Sequence, residues 1–327
     1  MKPRPRVVDR ILDALRNNRT FCIVGHVRPD GDCVGCQLAL ATALQHEGKQ
    51  VTVWNEDPMP DKLAFLDPGR LFQPPHPGAS FECVVAVDAA SLQRLGRVAD
   101  CVRERTCLIN IDHHTSNTRF GDINWVGARA PSTGELLFRL FQHASWPITP
   151  HIADCLFTAV STDTGSFQYP STQPATFAVA GALVKRGANL AAICRRVYES
   201  NPLPRVRLLR HVFNHFRLTH GNQTAYLWLK PADFVRTGAD PSDAEGLIDH
   251  IRAIDPVTVA CVFEQMEPEL IRVSLRSKKP EVDVNRIASS FGGGGHTAAA
   301  GARVRGRPIS VQRRVLTAIQ QALQPNR

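Results

Sequence analysis

The sequence has no long apolar run, and this absence sets the first limits on what the protein can be. Across its 327 residues, no apolar stretch approaches the roughly 18 residues needed to cross a bilayer. The opening segment, residues 1–18, carries charge but no continuous apolar core. We therefore expect an amphipathic helix there and not a secretory signal, in a cytoplasmic protein without a membrane partner.

The cysteines lack the pairing expected of a secreted or zinc-binding protein. There are nine, an odd number, and several lie inside apolar runs, which is typical of reduced, buried thiols. One C-x-x-C motif, Cys33–Cys36, stands at a predicted helix start, where thiol pKa values fall. No second such motif completes a zinc site. We interpret the pair as two small residues that pack a tight loop, with a redox dithiol as the open alternative.

Charge is unevenly distributed along the chain. Residues 1–200 have 21 Lys and Arg against 19 Asp and Glu, a net charge of +2, whereas residues 201–327 have 18 against 11, a net charge of +7. The length and the 43% of hydrophobic residues predict two folded domains. A basic second part suits an anionic substrate, although a merely soluble basic surface explains it equally well.

Strand-like and helix-like segments alternate in the first part of the chain. Short apolar runs predict strands at residues 20–25, 50–54, 81–87 and 107–111. Helical patterns follow at residues 34–46, 132–143, 149–162 and 173–186, and the second of these opens with the capping sequence Ser132-Thr133-Gly134-Glu135. The alternation predicts an α/β fold with a parallel sheet.

The second part of the chain has a different pattern. An arginine-rich helical segment, residues 190–218, is interrupted at residues 201–204. Strand patterns then occur at residues 224–229, 257–264 and 270–276, and helical patterns at residues 283–291 and 310–324. We expect an N-terminal parallel-sheet catalytic domain over residues 1–190, a helical linker over residues 191–218 and a smaller α+β domain over residues 219–327.

Acids and histidines come directly after the apolar runs of the first part. They are His26, Asp30, Asp32, Asp88, Asp112, His113 and His114, with Asp163 after the apolar residues 156–160. Because residues just beyond parallel strands line one crevice, we expect these side chains to lie together. Such a set of carboxylates and imidazoles indicates two divalent cations. It suits Mn²⁺, with Zn²⁺, Co²⁺ or Fe²⁺ as alternatives. Turn acids and helix caps explain each residue taken alone.

Two such cations would activate water toward phosphorus. About 3.5–4 Å apart, they would hold a bridging hydroxide and polarise a phosphoryl oxygen, which predicts in-line hydrolysis of a phosphate ester. His114, next to a metal-facing His113, is our candidate to stabilise the developing charge or to protonate the leaving oxygen.

A glycine run predicts an anion site in the second part. Glycines have no Cβ atom, so backbone N–H groups in the run can point at an anion without steric conflict. Side-chain donors stand at the end of the run and of the preceding strand. The predicted phosphate-binding residues are Arg276, Ser277, Gly293, Gly294, Gly295 and His296. A flexible hinge is the alternative explanation of the glycines.

Taken in order, these motifs resemble those of a known family. GHVRPDGD (25–32), VDAAS (87–91), DHH (112–114) and STDTGSF (161–167) resemble the four motifs of the DHH phosphoesterases, and RSK (276–278) and GGGGH (292–296) resemble the companion DHHA1 domain. The motifs span nearly the whole chain. The length and the GGGGH form are most similar to the bacterial oligoribonuclease and pAp phosphatase group. Cys36 stands where relatives usually carry serine.

The resemblance implies roles for individual residues. It implies a first Mn²⁺ held by His26, Asp30 and Asp88, and a second held by Asp32, Asp88, His113 and Asp163, with Asp88 bridging. His114 would face the substrate phosphate. Asp112 would orient the histidines.

The resemblance also implies substrates and leaves alternatives open. The implied substrates are short single-stranded RNA oligonucleotides and 3′-phosphoadenosine 5′-phosphate (pAp), and relatives are often homodimers. A phosphodiesterase acting on cyclic di-AMP or other cyclic dinucleotides uses the same parts, and linear dinucleotides are also possible partners. A pyrophosphatase or exopolyphosphatase shares the first four motifs. A non-catalytic RNA- or nucleotide-binding protein is the alternative from another functional class.

Overall fold

The computed structural model describes residues 6–324. The chain divides into two compact units, Met1–Ser200 and Asn201–Arg327, which we call the first and the second unit. The predicted linker, residues 191–218, straddles this division, and the predicted domain boundaries remain a prediction. Residues 1–5 of the predicted opening helix and residues 325–327 lie outside the described residues. Among residues 6–324, no single helix is long and apolar enough to cross a membrane, and one bent helix pair meets that test only when taken together.

Within the described residues, the first unit is built on a six-stranded parallel sheet. Its strands are β1 (Thr20–Val24), β2 (Gln50–Trp54), β3 (Phe72–Gln73), β4 (Phe81–Val87), β5 (Arg105–Asp112) and β6 (Ile123–Val126). They lie in the order β3-β2-β1-β4-β5-β6, and every neighbouring pair is parallel. The direction of winding reverses between β1 and β4. In open parallel sheets such a reversal opens a crevice beyond the carboxyl ends of the strands.

Helices accompany this sheet. They are α1 (Val7–Asn17), α2 (Gly31–His46), α3 (Val98–Cys101), α4 (Thr133–Ala144), α5 (Pro150–Asp163), α6 (Pro174–Lys185) and α7 (Leu190–Tyr198). Helix α2 begins after Asp30, whose Oδ1 accepts the N–H groups of Asp32 and Cys33, each at 3.1 Å. Most of α2 is buried because it packs against the sheet, α4 and α5. This explains why its sequence is apolar on all sides.

Both faces of the sheet are covered. Along β1, Phe21 and Ile23 face the main core, to which α1, α2, α4 and α5 contribute. Cys22 and Val24 face a second cluster with Trp54 and residues around α3. Successive residues of a strand point to opposite faces, so a strand buried on both faces is apolar throughout. The predicted α/β fold is confirmed.

The second unit has a mixed sheet of its own. Its strands are β7 (Arg217–Thr219), β8 (Thr224–Leu229), β9 (Val259–Glu267), β10 (Leu270–Ser277), β11 (Gly294–His296) and β12 (Ala299–Arg305), and its helices are α8 (Leu203–His215), α9 (Pro231–Thr237), α10 (Leu247–Arg252), α11 (Val284–Ser289) and α12 (Pro308–Leu323). The order is β11-β12-β10-β9-β8-β7, with only β8 and β9 parallel among the described strands. Helices α11 and α12 pack on one face, whereas α8 and α10 cover the other face at β8 and β9. The predicted α+β architecture is confirmed.

Predicted and observed elements differ at their ends and in short pieces. The predicted strands at residues 50–54, 81–87 and 224–229 have the same bounds in the structure. The predicted helical segment 190–218 instead forms α7, α8 and the short strand β7. The predicted helix at residues 149–162 corresponds to α5, whose last residue is Asp163, so this acid stands at the end of a helix and not of a strand. No predicted element corresponds to β3, α3, β6, α9, α10, β11 or β12, and most of these are too short to show a periodic pattern.

Candidate functional site

The predicted metal ligands lie at the carboxyl ends of the central strands of the first unit. His26 and Asp30 follow β1, Asp88 follows β4 and His113 follows β5. Because the strand order reverses between β1 and β4, these segments line the crevice that opens there. Asp163 comes from the C-terminal end of α5, the helix packed most extensively against α2. Sets of three of these side chains have ligand atoms within 4.8 Å of one another.

One such set consists of His26, Asp30 and Asp88. The Nε2 atom of His26 lies 3.3 Å from Asp88 Oδ2 and 3.7 Å from Asp30 Oδ2. The other ring nitrogen, Nδ1, lies 2.9 Å from the carbonyl oxygen of Val27. Since a carbonyl oxygen only accepts, Nδ1 is the donor in that bond and Nε2 is the atom turned toward the acids. A histidine held in this way is oriented as a metal ligand.

A second set consists of Asp32, His113 and Asp163. The Nε2 atom of His113 lies 3.1 Å from Asp163 Oδ2 and 3.8 Å from Asp32 Oδ2. Its Nδ1 atom lies 3.2 Å from the carbonyl oxygen of Ala130 and donates to it. Both histidines are therefore oriented by backbone carbonyl groups, with Nε2 toward the carboxylates.

Asp88 belongs to both sets. Its Oδ2 atom faces His26, and its Oδ1 atom lies 3.5 Å from Nε2 of His113. The side chain is 2% exposed, and the residue has a φ of 55°, in the left-handed region that is uncommon for residues with a side chain. The Asp88 N–H group donates to the Ile111 carbonyl of β5 at 3.0 Å and so holds this conformation. A carboxylate with one oxygen toward each set is what a bridge between two cations requires.

Asp112 and His114 form a supporting pair beside Asp88. The Nδ1 atom of His114 donates to Asp112 Oδ1 at 2.8 Å, and Asn117 Nδ2 donates to Asp112 Oδ2 at 2.6 Å. Burial raises the pKa of Asp112, but the hydrogen bonds from His114 and Asn117 and the charges of His113 and His114 together outweigh burial and leave the pKa below its usual value. Asp112 is therefore a buried anion that orients His114. Asn117 is not among the residues predicted from the sequence, although it stands three positions after the DHH motif at residues 112–114.

Without a cation, the negative charges of the acids in this cluster repel one another. Burial raises the pKa of Asp32 well above its usual value, and the carboxylates of Asp88 and Asp163 raise it further. Burial also raises the pKa of Asp163 to about 6, against the opposing charge of His113. Divalent cations supply the positive charge that such a cluster needs, and mixed carboxylate and imidazole donors suit a transition metal. The residues present therefore fit a metal centre.

The histidines carry part of the compensating charge in the protein alone. Burial lowers the pKa of His26, but hydrogen bonds with Asp30 and Asp88 outweigh burial and bring this pKa to about 10. Burial also lowers the pKa of His114, but its bond to Asp112 and the charges of the Asp88, Asp112 and Asp163 carboxylates together bring this pKa to about 9. In the protein alone, protons on these rings supply positive charge that bound metal ions would otherwise supply.

The N-terminus of α4 also belongs to the site. The N–H groups of Thr133 and Gly134 donate to Asp32 Oδ2 and Oδ1 at 2.7 and 2.9 Å, and the Thr133 hydroxyl donates to Asp88 Oδ1 at 3.1 Å. A helix N-terminus favours anions because its first N–H groups have no partner within the helix. The predicted capping sequence locates this helix start, and Ser132 does cap it by accepting from the Glu135 N–H at 3.2 Å. Nothing local in the sequence connects it to Asp32.

The C-x-x-C pair lies in the first turns of α2. Both Cys33 and Cys36 are fully buried, and burial raises both thiol pKa values well above the usual range. Buried, protonated thiols are poor nucleophiles. Cys36 Sγ donates to Asp32 Oδ1 at 3.3 Å, so this thiol acts as a hydrogen-bond donor to one of the predicted metal ligands.

In the second unit, Arg276 and His296 lie on the same face of the sheet. Arg276 of β10 is opposite Ala299 of β12, and Ala299 is opposite His296 of β11. The two side chains therefore flank a small alanine across about 10 Å, two strand spacings. This register places the Arg276 guanidinium and the His296 imidazole on either side of Ala299.

Two glycines of the run, Gly294 and Gly295, lie in the edge strand β11. A Cβ atom on Gly293 would lie 2.1 Å from the Gly301 carbonyl oxygen, and Gly295 has a φ of +150°. Close approach to β12 therefore accounts for part of the run. Ser277 is buried, and its hydroxyl donates to the Lys279 carbonyl oxygen at 2.9 Å within its own turn.

Family models match both units of the chain. The model of the DHH family, N-terminal domain, matches residues 20–160. The model of the DHHA1 domain matches residues 222–324. The two matches follow the order of the quoted motifs.

Relatives of known name extend over most of the chain. The bifunctional oligoribonuclease and PAP phosphatase NrnA of Thermus thermophilus is 33% identical over 97% of this chain and 94% of that protein. The protein of the same name from Bacillus subtilis is 28% identical over 87% of this chain and 89% of its own length. The crystal structure of an exopolyphosphatase-related protein from Bacteroides fragilis has 26% identity and a TM-score of 0.85, covering 96% of each chain.

These matches agree with the geometry of the site. The Thermus relative covers nearly the whole chain at more than 30% identity, and both family models fall on the units that carry the quoted motifs. The resemblance predicted from the motifs is thus confirmed. The chain belongs to the DHH family and joins an N-terminal DHH domain to a DHHA1 domain.

Proposed function

We propose that this chain is a metal-dependent hydrolase that cleaves short RNA oligonucleotides, such as the dinucleotide pApA, and dephosphorylates pAp. The observation that carries the proposal is the buried Asp88, whose two oxygens face two separate groups of imidazole and carboxylate ligands. The names of the Thermus and Bacillus relatives support these substrates. The activity belongs in the cytoplasm, where thiols stay reduced, and none of the nine cysteines forms a disulfide in the described residues.

Two Mn²⁺ ions are the proposed cofactors. The first is assigned to His26, Asp30 and Asp88, and the second to Asp32, Asp88, His113 and Asp163. When bound, the ions supply positive charge that polarises a phosphoryl oxygen and lowers the pKa of water. The mixed oxygen and nitrogen donors support Mn²⁺ over Mg²⁺, which prefers all-oxygen sites with retained waters.

His114 is the proposed proton donor. Asp112 Oδ1 accepts a hydrogen bond from the Nδ1–H group of His114 at 2.8 Å, and this bond sets the orientation of the ring. With a pKa of about 9 in the protein alone, His114 keeps a proton at neutral pH. It then donates the Nε2 proton to the leaving oxygen, and the anion of Asp112 stabilises the ring while it is charged.

The second unit is proposed to hold a terminal phosphate of the substrate. Arg276 supplies a guanidinium group, whose paired N–H donors match two phosphate oxygens. His296 lies on the other side of Ala299, on the same face of the sheet. The backbone of Gly293–Gly295 belongs to the proposed group, and Ser277, whose hydroxyl donates to the Lys279 carbonyl oxygen, is assigned the supporting role of holding the turn after Arg276. The net charge of +7 over residues 201–327 supports an anionic ligand.

A substrate panel with Mn²⁺ tests the proposed activity. It compares pAp, linear dinucleotides, cyclic dinucleotides, pyrophosphate, polyphosphate and single strands of twenty or more nucleotides. We expect turnover of pAp and short linear RNA, with much slower cleavage of long strands. Equal rates on dinucleotides and long RNA would contradict a short-substrate enzyme. Binding of a dinucleotide without turnover at saturating Mn²⁺ would indicate a non-catalytic binding protein.

The phosphate arms of this panel test a second candidate. A solved relative with a TM-score of 0.85 carries the description exopolyphosphatase-related. Faster phosphate release from pyrophosphate or polyphosphate than from pAp would favour that function. Sedimentation of the same preparation tests the predicted homodimer.

Two substitutions test the residue roles. Asp88→Ala removes a ligand from both proposed ions and should abolish turnover and Mn²⁺ binding by calorimetry, while Asp13→Ala on the exposed side of α1 should change neither. Substantial residual activity would contradict the bridging role.

His296→Ala should raise KM for pAp, and a loss confined to kcat would count against phosphate binding.

A further inference from the structure

One face of the second-unit sheet carries arginines that the proposed phosphate group does not include. Along β10, Ile271, Val273 and Leu275 are buried with α12 on one face. The intervening residues, including Arg272, therefore point to the opposite face. On that face α8 and α10 pack over β8 and β9. The part formed by β10 and β12 presents polar and charged side chains instead.

Two of these arginines stand directly opposite each other. Arg272 of β10 pairs in register with Arg303 of antiparallel β12, so both side chains lie on one face. Like charges at directly opposite positions destabilise a sheet. On its other side, Arg272 Nη2 lies 2.7 Å from Glu264 Oε2 of β9, which balances one of the two charges.

The remaining donors lack acceptors within residues 6–324. Arg303 is exposed and makes no hydrogen bond or ion pair with any described residue. The Nε–H group of Arg272 is buried and has no hydrogen-bond partner among the described residues. A cavity of about 130 Å³ adjoins it, lined by Arg272, Ser274 and Arg276 on one side and by Leu229 and Glu245 on the other. Arg303 does not line this cavity, and the feature that suits an anion is the pair of unmet arginine donors on adjacent strands.

The distance between Arg272 and Arg276 along β10 can be compared with the spacing of phosphates in an oligonucleotide. Arg272 and Arg276 are four residues apart on β10, which corresponds to about 14 Å along the strand. Phosphates of one strand are about 3.4 Å apart along the axis of a stacked duplex and farther apart in an extended chain. A phosphate at Arg272 is therefore about two to four nucleotides from one at Arg276.

We infer that Arg272 and Arg303 form a second phosphate subsite, which binds the backbone of oligonucleotides of three or more nucleotides. The inference rests on the proposed function and extends it. The two guanidinium groups contact one phosphodiester from adjacent strands, and Glu264 fixes the orientation of Arg272. The subsite gives longer oligomers binding energy that pAp cannot obtain, because pAp is too short to reach it.

Arg303→Ala tests the subsite in the full-length protein with Mn²⁺. The readout is the ratio of KM for a pentanucleotide to KM for pAp, which should rise about tenfold on loss of one charged phosphate contact. The slope of log KM against log salt for the pentanucleotide should also fall by about 0.7. Arg303→Lys keeps the charge but not the fork and should give an intermediate ratio.

Arg313→Ala is the matched control. Arg313 is exposed on α12, the helix of the opposite face, and its substitution removes the same charge. It should leave the ratio and the salt slope unchanged. An unchanged ratio in Arg303→Ala, or an equal change in Arg313→Ala, would overturn the subsite.

Direct binding separates this result from failure of the proposed function. If the wild-type protein hydrolyses no member of the panel, the proposed function fails, and anisotropy of a labelled pentanucleotide still tests the subsite. About tenfold weaker binding in Arg303→Ala than in Arg313→Ala supports the subsite in that case. Equal affinities refute it.

Discussion

Replacing Thr133 by valine removes one hydroxyl from the acid cluster and changes little else. Thr133 is fully buried, and its hydroxyl donates to Asp88 Oδ1 at 3.1 Å. Valine has nearly the same shape, and the Thr133 N–H bond to Asp32 involves only the backbone. A hydrogen bond to a charged group contributes about 1.5–3 kcal/mol. The bond is longer than the best of its kind and Asp88 has other partners, so we expect a loss of about 1.5 kcal/mol.

Thr158→Val on α5 is the matched control and should have the opposite sign. Thr158 is also fully buried, but its hydroxyl has no hydrogen-bond partner within the described residues. Removing a buried, unpaired hydroxyl recovers its desolvation cost, so the variant should be as stable as wild type or about 1 kcal/mol more stable. The same chemical change thus separates the two hydroxyls by their partners alone.

Urea unfolding in EDTA measures both changes in the free energy of unfolding without metal linkage, and thermal unfolding in EDTA measures the matching change in melting temperature. Thr133→Val should lower the melting temperature of the first unit by about 3–6 °C, given about 2–4 °C per kcal/mol for a domain of this size. Its Mn²⁺ affinity should fall about tenfold, as is usual when a group that orients a ligand is lost. Thr133→Ser keeps the hydroxyl and should keep that affinity. Equal stability of Thr133→Val and Thr158→Val would refute the reasoning.

Other predictions concern protons, packing and the unusual cysteine. His26 has a pKa raised from 6.5 to about 10 in the metal-free protein. Its bonds therefore stabilise the fold fully below pH 6.5 and are lost as the pH rises toward 10. Because a cation must displace this proton, Mn²⁺ binding at pH 7.5 should release protons, and calorimetric heats that are the same in buffers of different ionisation enthalpy would contradict this. Gly35→Ala would place a Cβ atom 2.4 Å from a backbone carbonyl oxygen of α5 and should cost about 1–3 kcal/mol in urea unfolding. Gly181→Ala on α6, with no atom within 4 Å, should gain about 0.5–1 kcal/mol, so a shared sign would argue against the packing explanation. Cys36→Ser keeps a donor to Asp32 and should retain activity within about twofold, whereas Cys36→Ala should weaken Mn²⁺ binding about tenfold. Identical Mn²⁺ affinities for the serine and alanine variants would show that the hydrogen bond from residue 36 to Asp32 does not contribute to Mn²⁺ binding.

The strands that carry the site are predictable because their signal is local. The strand Phe81–Val87 has the predicted bounds, since a run of apolar, β-branched residues between polar segments is sufficient to identify a buried parallel strand. Asp88 follows directly, so its place at the carboxyl edge of the sheet needs no knowledge of the other strands. His26 and His113 follow their strands in the same way.

The groups that hold the acids are not predictable in this way. Thr133 and Gly134 reach Asp32 across about a hundred residues of sequence, and the capping pattern indicates only that a helix starts there. Two glycines of the run lie in β11 although glycine disfavours strands, because pairing with β12 outweighs the local preference. Asp163 is the last residue of α5, where a helix is predicted, but its place beside Asp32 depends on the packing of α5 against α2.

The amino-acid sequence by itself determined the alternation of strands and helices, the identity of the acids and histidines beyond them, and the basic charge of the second unit. These properties depend on the order of side chains along a few residues. The tertiary structure decided which oxygen of Asp88 faces which imidazole, which carbonyl oxygens set the tautomers of His26 and His113, and that Arg272 lies opposite Arg303. Strand register and the positions of backbone carbonyl groups depend on packing between distant segments, and no local pattern encodes them.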